Sequence, residues 1–267
     1  MPTNQQRPVR APDLRRWKAD GRKIVMLTAY DATMARLLER AGVDLLLVGD
    51  SLGMVVLGYE TTVPVTLDDV VHHARAVSRA VRRPLVVADL PFLSFQASVE
   101  QAVRAAARLM QDGGAAAVKL EGGRSVADLV KRLVEIGVPV MGHLGLTPQA
   151  VHQLGGFRRQ GKTAEAAEAL LADALALQEA GAFALVLESI PGPLAERVTQ
   201  ALEIPTIGIG AGPTCDGQVL VTQDILGLYD SIPPFAKVYA ELGRATVEAA
   251  SSYAEDVRQG RFPESEG

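Results

Sequence analysis

Short apolar runs rich in Val, Ile and Leu alternate along the chain with longer segments of helical periodicity. Continuous apolarity over a few residues is typical of strands that are buried on both faces, as in parallel sheets. Eight such runs are present, at 24–29, 44–50, 84–90, 115–122, 138–145, 182–189, 204–212 and 217–224. The pattern therefore predicts a buried parallel sheet of eight strands.

Between the runs, apolar residues recur three and four positions apart, as Met34, Leu37, Leu38 and Ala41 do. This periodicity predicts helices over 32–42, 66–81, 97–114, 125–137, 164–181 and 193–202, and a C-terminal helical region over 234–259. Eight strand–helix units are the count of a (β/α)₈ TIM barrel. An open doubly wound sheet is the alternative, because one misassigned strand would permit it. With no linker evident, residues 1–267 are predicted to form a single domain.

The N-terminal segment 1–22 is basic and polar and lacks the apolar core of a secretory signal. We interpret it as a surface arm, helical around Pro12–Lys18. With 48% hydrophobic residues, 22% charged residues and a formal charge of −4, the composition excludes a disordered chain and argues against a general nucleic-acid binder. The lone Cys215 and the lack of a long apolar run favour a cytoplasmic location, away from the membrane.

Side chains able to do chemistry recur near the C-terminal ends of the runs, where barrel enzymes build their active sites. They are Asp50, Ser51, Asp89, Lys119, Glu121, His143, Glu188 and Asp224. Asp50, Asp89 and Glu121 follow three successive runs, so adjacent strands would bring them to one rim. Clustered carboxylates repel each other unless a cation neutralises them, and oxygen ligands select a hard ion such as Mg²⁺. The competing interpretation is that each carboxylate caps a helix.

The remaining candidates each have two interpretations. Strand alternation puts Lys119 and Glu121 on one face, where the lysine could hold an anionic substrate or form a structural ion pair. The neighbouring acids disfavour a Schiff-base lysine, because they stabilise its protonated form. Glu188 could act as a general base or as a partner of the next helix N-terminus. His143 could act at the site or be a hydrogen-bonded core histidine.

The segment 156–163, GFRRQGKT, matches the Walker A pattern. A phosphate-binding loop needs a buried strand that runs into its first glycine and a helix that begins at its lysine. Residues 147–154, TPQAVHQL, are too polar for such a strand. A nucleotide-binding loop is therefore disfavoured, and residues 143–163 are instead a long loop of the kind that often carries function.

Several ordered segments resemble the ketopantoate hydroxymethyltransferase family from about Ile24 to Leu228. They are TAYDATMARLLERAGVDLLLVGDSLGMVVLGYETTVPVT, VVADLPF, AAAVKLEGG, VMGHLGLTPQAVHQLGGFRRQGKT, LVLESIP and IPTIGIGAGPTCDGQVLV. The resemblance implies a barrel of the phosphoenolpyruvate/pyruvate-like group. It also implies hydroxymethyl transfer from 5,10-methylenetetrahydrofolate to 3-methyl-2-oxobutanoate, giving 2-dehydropantoate in pantothenate biosynthesis through a Mg²⁺-stabilised enolate.

The resemblance also implies roles for individual residues and an assembly. It assigns a Mg²⁺ ion in each subunit to Asp50, Asp89 and Glu121. It assigns oxo-acid contacts to Asp50, Ser51, Asp89 and Lys119, and proton abstraction to Glu188. We add His143 as a residue that hydrogen-bonds the substrate or a water on the metal. Family members are homo-oligomers, often decamers, so a decamer is expected here.

Two other functions stay open at this point. One is another oxo-acid barrel, such as a phosphonopyruvate- or isocitrate-type lyase, and the other is a non-catalytic ligand-binding protein on the same fold. The segments 49–66 and 143–149 favour the transferase over the lyases. Glu188 counts against a binding protein, because ligand binding alone does not need a general base.

Overall fold

Eight parallel strands close into a barrel in the computed structural model, which describes residues 7–229 and 231–263. The strands follow one another around the barrel in chain order, and each recorded pairing is parallel. They are β1 Ile24–Thr28, β2 Leu45–Val48, β3 Leu85–Asp89, β4 Ala117–Glu121, β5 Val140–Gly145, β6 Ala184–Glu188, β7 Thr206–Ile209 and β8 Gly217–Leu220. The predicted TIM barrel is confirmed, and the open sheet is wrong.

Helices occupy the connections between the strands. They are α1 Ala11–Ala19, α2 Ala32–Arg40, α3 Leu52–Val55, α4 Leu67–Ala80, α5 Val99–Ala107, α6 Ala127–Glu135, α7 Val151–Leu154, α8 Ala164–Glu179, α9 Gly192–Ala201, α10 Thr222–Ile225 and α11 Leu242–Arg258. A π-helical turn, Arg108–Asp112, continues α5. The six predicted inner helices are confirmed, whereas the C-terminal helix begins at Leu242 rather than near 234.

Side-chain caps explain where several of these helices begin. Asp31 accepts hydrogen bonds from the N–H groups of Thr33 and Met34 at the start of α2. Thr66 and Asp69 form a reciprocal capping box at the start of α4. Such caps satisfy backbone donors that have no partner within the helix. The chain therefore turns into a helix soon after it leaves the rim of the barrel.

Alternation along the strands produces two apolar clusters. Leu46 and Leu120 belong to the cluster between the strands and the surrounding helices. Leu45 and Met141 belong to the cluster inside the barrel. Successive strand residues point to opposite faces, so a strand buried on both sides supplies both clusters. This double burial is why the eight runs are almost continuously apolar.

Residues 7–22 are not the surface arm that the polar composition of residues 1–22 suggests, and residues 1–6 lie outside the described residues. Helix α1 confirms the helix expected around residues 12–18, but Val9, Leu14 and Trp17 are buried in the inner apolar cluster. Leu14 and Trp17 lie three residues apart, so they share one face of α1. The Arg22 guanidinium stacks 3.7 Å from the centre of the Trp17 ring and covers its other side. A few apolar residues on one helical face are enough to dock a segment that is otherwise charged.

The described chain divides into two compact units, one ending at Val219 and one beginning at Leu220. In the second unit, Tyr229 donates a hydrogen bond to Asp224, the last residue of the eighth apolar run. Backbone N–H groups of Tyr239 and Leu242 donate to the carbonyls of Ile225 and Leu226 at the end of α10 and hold the start of α11. The single domain over residues 1–267 stays a prediction. Among residues 7–229 and 231–263, no helix is long and apolar enough to cross a membrane.

We predict that Leu14→Ala lowers the free energy of unfolding by about 2–5 kcal/mol, because it opens a cavity at a fully buried position. Urea unfolding followed by circular dichroism measures the change. Arg15→Ala is the matched control, since this neighbour forms an exposed ion pair with Glu203 and should cost less than about 1 kcal/mol. Equal costs for both variants would mean that α1 does not belong to the core.

Candidate active site

The C-terminal ends of β3 to β6 bring five of the predicted residues to one rim. Asp89 ends β3, Lys119 and Glu121 lie in β4, His143 lies in β5 and Glu188 ends β6. Strand register pairs Asp89 with Lys119 and Glu121 with His143. All but Glu188, which is partly exposed, are buried. The sequence prediction that strand ends collect these side chains at one face agrees with this placement.

Asp50 and Ser51 reach the same rim from the end of β2. The Asp50 N–H donates a hydrogen bond of 3.0 Å to Asp89 Oδ2. The Ser51 hydroxyl lies 2.8 Å from the hydroxyl of Tyr30, a buried residue that follows β1. Gly49 lies close to Ser51 and Asp89, because a Cβ at this position would stand 2.8 Å from Ser51 Oγ and 3.3 Å from Asp89 Oδ2. Glycine is therefore needed here, because any side chain would displace the site residues.

Lys119 is held as a buried ammonium. Its Nζ lies 2.9 Å from Asp89 Oδ1, within ion-pair distance although the alignment is not that of a hydrogen bond. Burial lowers the pKa of Lys119, but the charges of Asp89, Glu121 and Asp50 outweigh it and raise the pKa above its usual value. A permanently charged lysine binds anions and is a poor nucleophile. The Schiff-base interpretation is therefore unsupported.

His143 lies between two carboxylates. Its Nδ1 is 3.4 Å from Glu121 Oε1 and its Nε2 is 3.2 Å from Glu188 Oε2. Burial and the Lys119 charge disfavour the imidazolium, but the contacts with Glu121 and Glu188 prevail and raise the pKa of His143 to about 9. Lys119 Nζ also lies 3.2 Å from His143 Nδ1, so both ring nitrogens of His143 contact ionisable side chains of the rim and it is not an isolated core histidine.

Gln149 fixes two of the carboxylates, and the sequence analysis did not single it out. Its side-chain Nε2 donates 2.9 Å hydrogen bonds to Asp50 Oδ2 and to the Leu90 carbonyl. Its backbone N–H donates a 3.1 Å bond to Glu121 Oε2. Gln149 is buried in a short 3₁₀ turn, Pro148–Ala150, beyond β5. An uncharged glutamine in a loop belongs to no hydrophobic periodicity and to no charge cluster, so the sequence pattern does not identify it as a site residue. Gln149 does lie within one of the segments that resemble the family.

The rim carries more negative than positive charge. Burial, followed by repulsion from Asp89 and Glu121, raises the pKa of Asp50 well above its usual range. The Lys119 ammonium supplies one fixed positive charge beside the four acidic side chains Asp50, Asp89, Glu121 and Glu188, and a proton on Asp50 or a bound cation would offset the excess of negative charge. Burying an uncompensated charge is costly, so this arrangement favours a further cation.

Asp50, Asp89 and Glu121 are the residues that could hold a divalent ion. Each accepts a hydrogen bond on one oxygen from a buried or backbone donor, which fixes its direction. Across the described residues, no three or more Asp, Glu, His or Cys side chains form a group that could hold a metal ion. Mg²⁺ takes few protein ligands and completes its shell with water and substrate. The oxygen donors and the charge excess therefore fit Mg²⁺ better than a metal that needs a cage of side chains.

The Walker A match is not a phosphate-binding loop. Helix α7, rather than a strand, precedes Gly156, and α8 begins at Ala164 after its cap Thr163. The segment instead leans on the end of β6, where Gln160 N–H donates to the Ser189 carbonyl. The segment after β5 and the end of β6 approach each other closely at Gly145, where a Cβ would collide with the Glu188 carbonyl oxygen. The nucleotide-binding interpretation is therefore wrong.

Solved structures share this fold at low sequence identity. A phosphonopyruvate hydrolase, solved in complex with oxalate and Mg²⁺, has a TM-score of 0.62 at 15% identity, covering 96% of this chain and 89% of that one. A 2,3-dimethylmalate lyase of the PEP mutase/isocitrate lyase superfamily has a TM-score of 0.61 at 20% identity, covering 96% and 90%. These likenesses show the barrel architecture.

Sequence relatives are far closer. A 3-methyl-2-oxobutanoate hydroxymethyltransferase of Moorella thermoacetica is 59% identical over 263 residues, 98% of each chain. One of Thermosynechococcus vestitus is 58% identical over 259 residues, 97% of this chain and 99% of that one. The family model described as ketopantoate hydroxymethyltransferase matches residues 8–265. The chain therefore belongs to the ketopantoate hydroxymethyltransferase family and is an enzyme of the transferase class.

Proposed function

We propose that this enzyme transfers a hydroxymethyl group from 5,10-methylenetetrahydrofolate to 3-methyl-2-oxobutanoate, giving 2-dehydropantoate in pantothenate biosynthesis. The observation that carries the proposal is one connected cluster of acids and cations, from Asp50 through Lys119 and His143 to Glu188. Enolising an anionic oxo acid needs these functions together: a cation for the carboxylate, acids for a metal and a base. The relatives' shared name supports the choice of oxo acid.

A divalent cation, Mg²⁺, fits the acidic half of the cluster and would be held by Asp50, Asp89 and Glu121. When bound, it supplies Lewis acidity that makes the hydrogen beside the keto group of the substrate easier to remove. The same barrel architecture holds Mg²⁺ and oxalate, a small dicarboxylate, in the phosphonopyruvate hydrolase. Gln149 keeps two of the three carboxylates aimed at the rim before any ligand arrives.

The positive half of the cluster binds and orients the oxo acid. Lys119 offers a fixed charge to the substrate carboxylate, and its ion pair with Asp89 holds the ammonium in place. Ser51 donates a hydrogen bond to the same group, with its hydroxyl oriented by Tyr30. Burial raises the pKa of Tyr30, so the phenol stays protonated and able to donate. These preorganised donors stabilise negative charge that grows during enolisation.

Glu188 takes the proton from C3 of the oxo acid. It is the most accessible of the four rim carboxylates, and its position at the end of β6 faces the mouth. The electron pair of the C–H bond then forms the enolate, whose C3 bonds to the one-carbon unit as both C–N bonds of the folate methylene break. Water supplies the hydroxyl oxygen of the product, and one proton from this water together with the proton taken from C3 ends on the two folate nitrogens. His143, 3.2 Å from Glu188 Oε2, orients this carboxylate and binds the oxo acid or a water beside it.

The expected homo-oligomer, a decamer by resemblance, stays a prediction. Helix α11 supports association, because it has no buried residue and exposes Val247, Tyr253 and Val257. Exposed apolar side chains grouped on one helix are typical of a surface that meets another chain.

We predict that the purified enzyme converts 3-methyl-2-oxobutanoate and 5,10-methylenetetrahydrofolate to 2-dehydropantoate in the presence of Mg²⁺. Mass spectrometry of the products distinguishes the three functions considered. A lyase would cleave an oxo acid without using folate, and a binding protein would retain the oxo acid without turnover. Absence of 2-dehydropantoate would defeat the proposal.

We predict that Glu188→Gln slows solvent exchange of the C3 hydrogen of 3-methyl-2-oxobutanoate by about 10²–10⁴-fold, because the amide cannot accept the proton. Oxo-acid binding should persist, since Lys119 and Ser51 are unchanged. Proton NMR in deuterated water measures exchange, and calorimetry measures binding. Glu196→Gln, on the exposed face of α9, should exchange at the wild-type rate. Wild-type exchange in Glu188→Gln would remove this residue from the base role.

We predict that Asp89→Asn raises the Mg²⁺ concentration needed for half-maximal activity by at least about tenfold. Mutating a residue that only hydrogen-bonds to a metal ligand commonly lowers metal affinity by about tenfold or more. Asp89→Asn removes the charge of a candidate ligand itself, so the loss of Mg²⁺ affinity should be at least as large. Circular dichroism checks that the fold is kept. Asp128→Asn, an exposed change on α6, serves as control. A Mg²⁺ dependence identical to that of wild type, or full activity in EDTA, would contradict the assignment.

A further inference from the structure

The segment 155–163, here called the cationic loop, carries three positive charges and no acid. Arg158, Arg159 and Lys162 are all exposed. None of the three forms an ion pair with another described residue. Single exposed cations such as Arg36 and Lys131 are unpaired as well, but the loop places three of them within the five residues 158–162. The segment matches the Walker A pattern in sequence, but its structure is not that of a phosphate-binding loop. Its unneutralised charge is therefore unexplained by the oxo-acid site, where Lys119 already binds the carboxylate.

The loop is fixed beside the site rather than hanging free. Gln160 N–H donates a 3.0 Å bond to the Ser189 carbonyl, and Arg159 Nη2 donates a 3.1 Å bond to the Ile190 carbonyl. These are the two residues that follow Glu188. Ser189 adopts φ +48°, a left-handed conformation that is uncommon for residues other than glycine. Strained backbone of this kind persists where the surroundings demand it, often at functional sites.

Packing holds the other end of the loop. Gly161 has φ +68°, and a Cβ there would come within 2.5 Å of the Leu194 side chain. The loop thus lies against α9 and ends at the cap of α8, Thr163. Arg158 and Lys162 extend from a fixed backbone at the edge of the barrel mouth. Fixed cations next to a cleft attract and hold anions more effectively than mobile ones.

We propose that the cationic loop binds the γ-linked glutamate tail of the folate co-substrate. This inference rests on the proposed function, which requires a reduced folate to deliver its one-carbon unit to the substrate beside Glu188. The far end of a folate is a chain of carboxylates, and each added glutamate adds one negative charge. Guanidinium and ammonium groups without partners suit a flexible chain of carboxylates. Phe157 is 51% exposed and adds an apolar surface beside the cations. A folate has aromatic rings at one end and carboxylates at the other, so an apolar surface next to cations suits both parts.

The test compares two forms of 5,10-methylenetetrahydrofolate, the monoglutamate and the pentaglutamate. The double variant Arg158→Gln/Lys162→Gln removes two loop charges, while Arg159 stays because its bond to Ile190 anchors the loop. Its matched control is Arg36→Gln/Lys131→Gln, which removes two exposed cations from α2 and α6. Because exposed charge pairs contribute little individually, we expect the KM for the pentaglutamate to rise by roughly threefold to tenfold in the loop variant.

The remaining parameters separate the loop from the rest of the site. The KM for the monoglutamate should change less than about twofold, and wild-type KM for the pentaglutamate should rise with added salt, since exposed charges are screened. The folate-independent C3 exchange of the oxo acid should keep its rate in the loop variant. The control variant should match wild type with both folates.

Three results would overturn the inference. One is a ratio of pentaglutamate KM to monoglutamate KM that is the same in the loop variant as in wild type. Another is a rise of the pentaglutamate KM in the control variant equal to that in the loop variant, which would mean that net charge alone causes the effect. If wild type makes no 2-dehydropantoate, the proposed function fails. Calorimetric titration with tetrahydrofolate pentaglutamate then decides separately, and equal affinity for wild type and loop variant is the third overturning result.

Discussion

Four acidic side chains share one rim of this barrel with a single ammonium and a single imidazole, so repulsion among the acids constrains the local structure. Water screens such repulsion at a surface, but here the groups are largely buried. Gln149, the Asp50 N–H and Lys119 each bind a carboxylate and restrict where it points. The rim is therefore preorganised for cationic and anionic ligands at the expense of its own stability. The two apolar clusters of the barrel supply the stability that the rim does not.

The barrel could be predicted because burial on both faces leaves a simple trace in each strand. Leu45 and Leu46 point to different clusters, yet both must be apolar, so the run is continuous. The docking of α1 could not be predicted from composition, because Leu14 and Trp17 are outnumbered by charged neighbours. The start of α11 at Leu242 likewise departs from the pattern, since local propensity is a weak guide to where tertiary structure lets a helix begin.

The residues of the candidate site likewise fall into those that the sequence predicts and those that it does not. Asp89, Lys119 and Glu188 could be predicted, because parallel strands deliver their last residues to a common face. Tyr30 and Gln149 could not, since each acts through a contact between distant parts of the chain. Tyr30 follows β1 and meets Ser51 only when β1 and β2 are adjacent. Family likeness included both residues within its segments without indicating what either one touches.

Under the proposed function, Gln149 has one more consequence, for how the oxo acid and the folate affect each other's binding. It stands on the same stretch between β5 and α8 as the cationic loop, yet it holds side chains that come from β2 and β4. If folate binding at the cationic loop moved that stretch, it would strain those bonds, and the loop would be coupled to the oxo-acid site through Gln149. Such coupling is reciprocal: if one ligand changes the affinity for the other by some factor, the second ligand changes the affinity for the first by the same factor. Cooperativity between unlike substrates would then arise within one subunit, without any change in how subunits assemble.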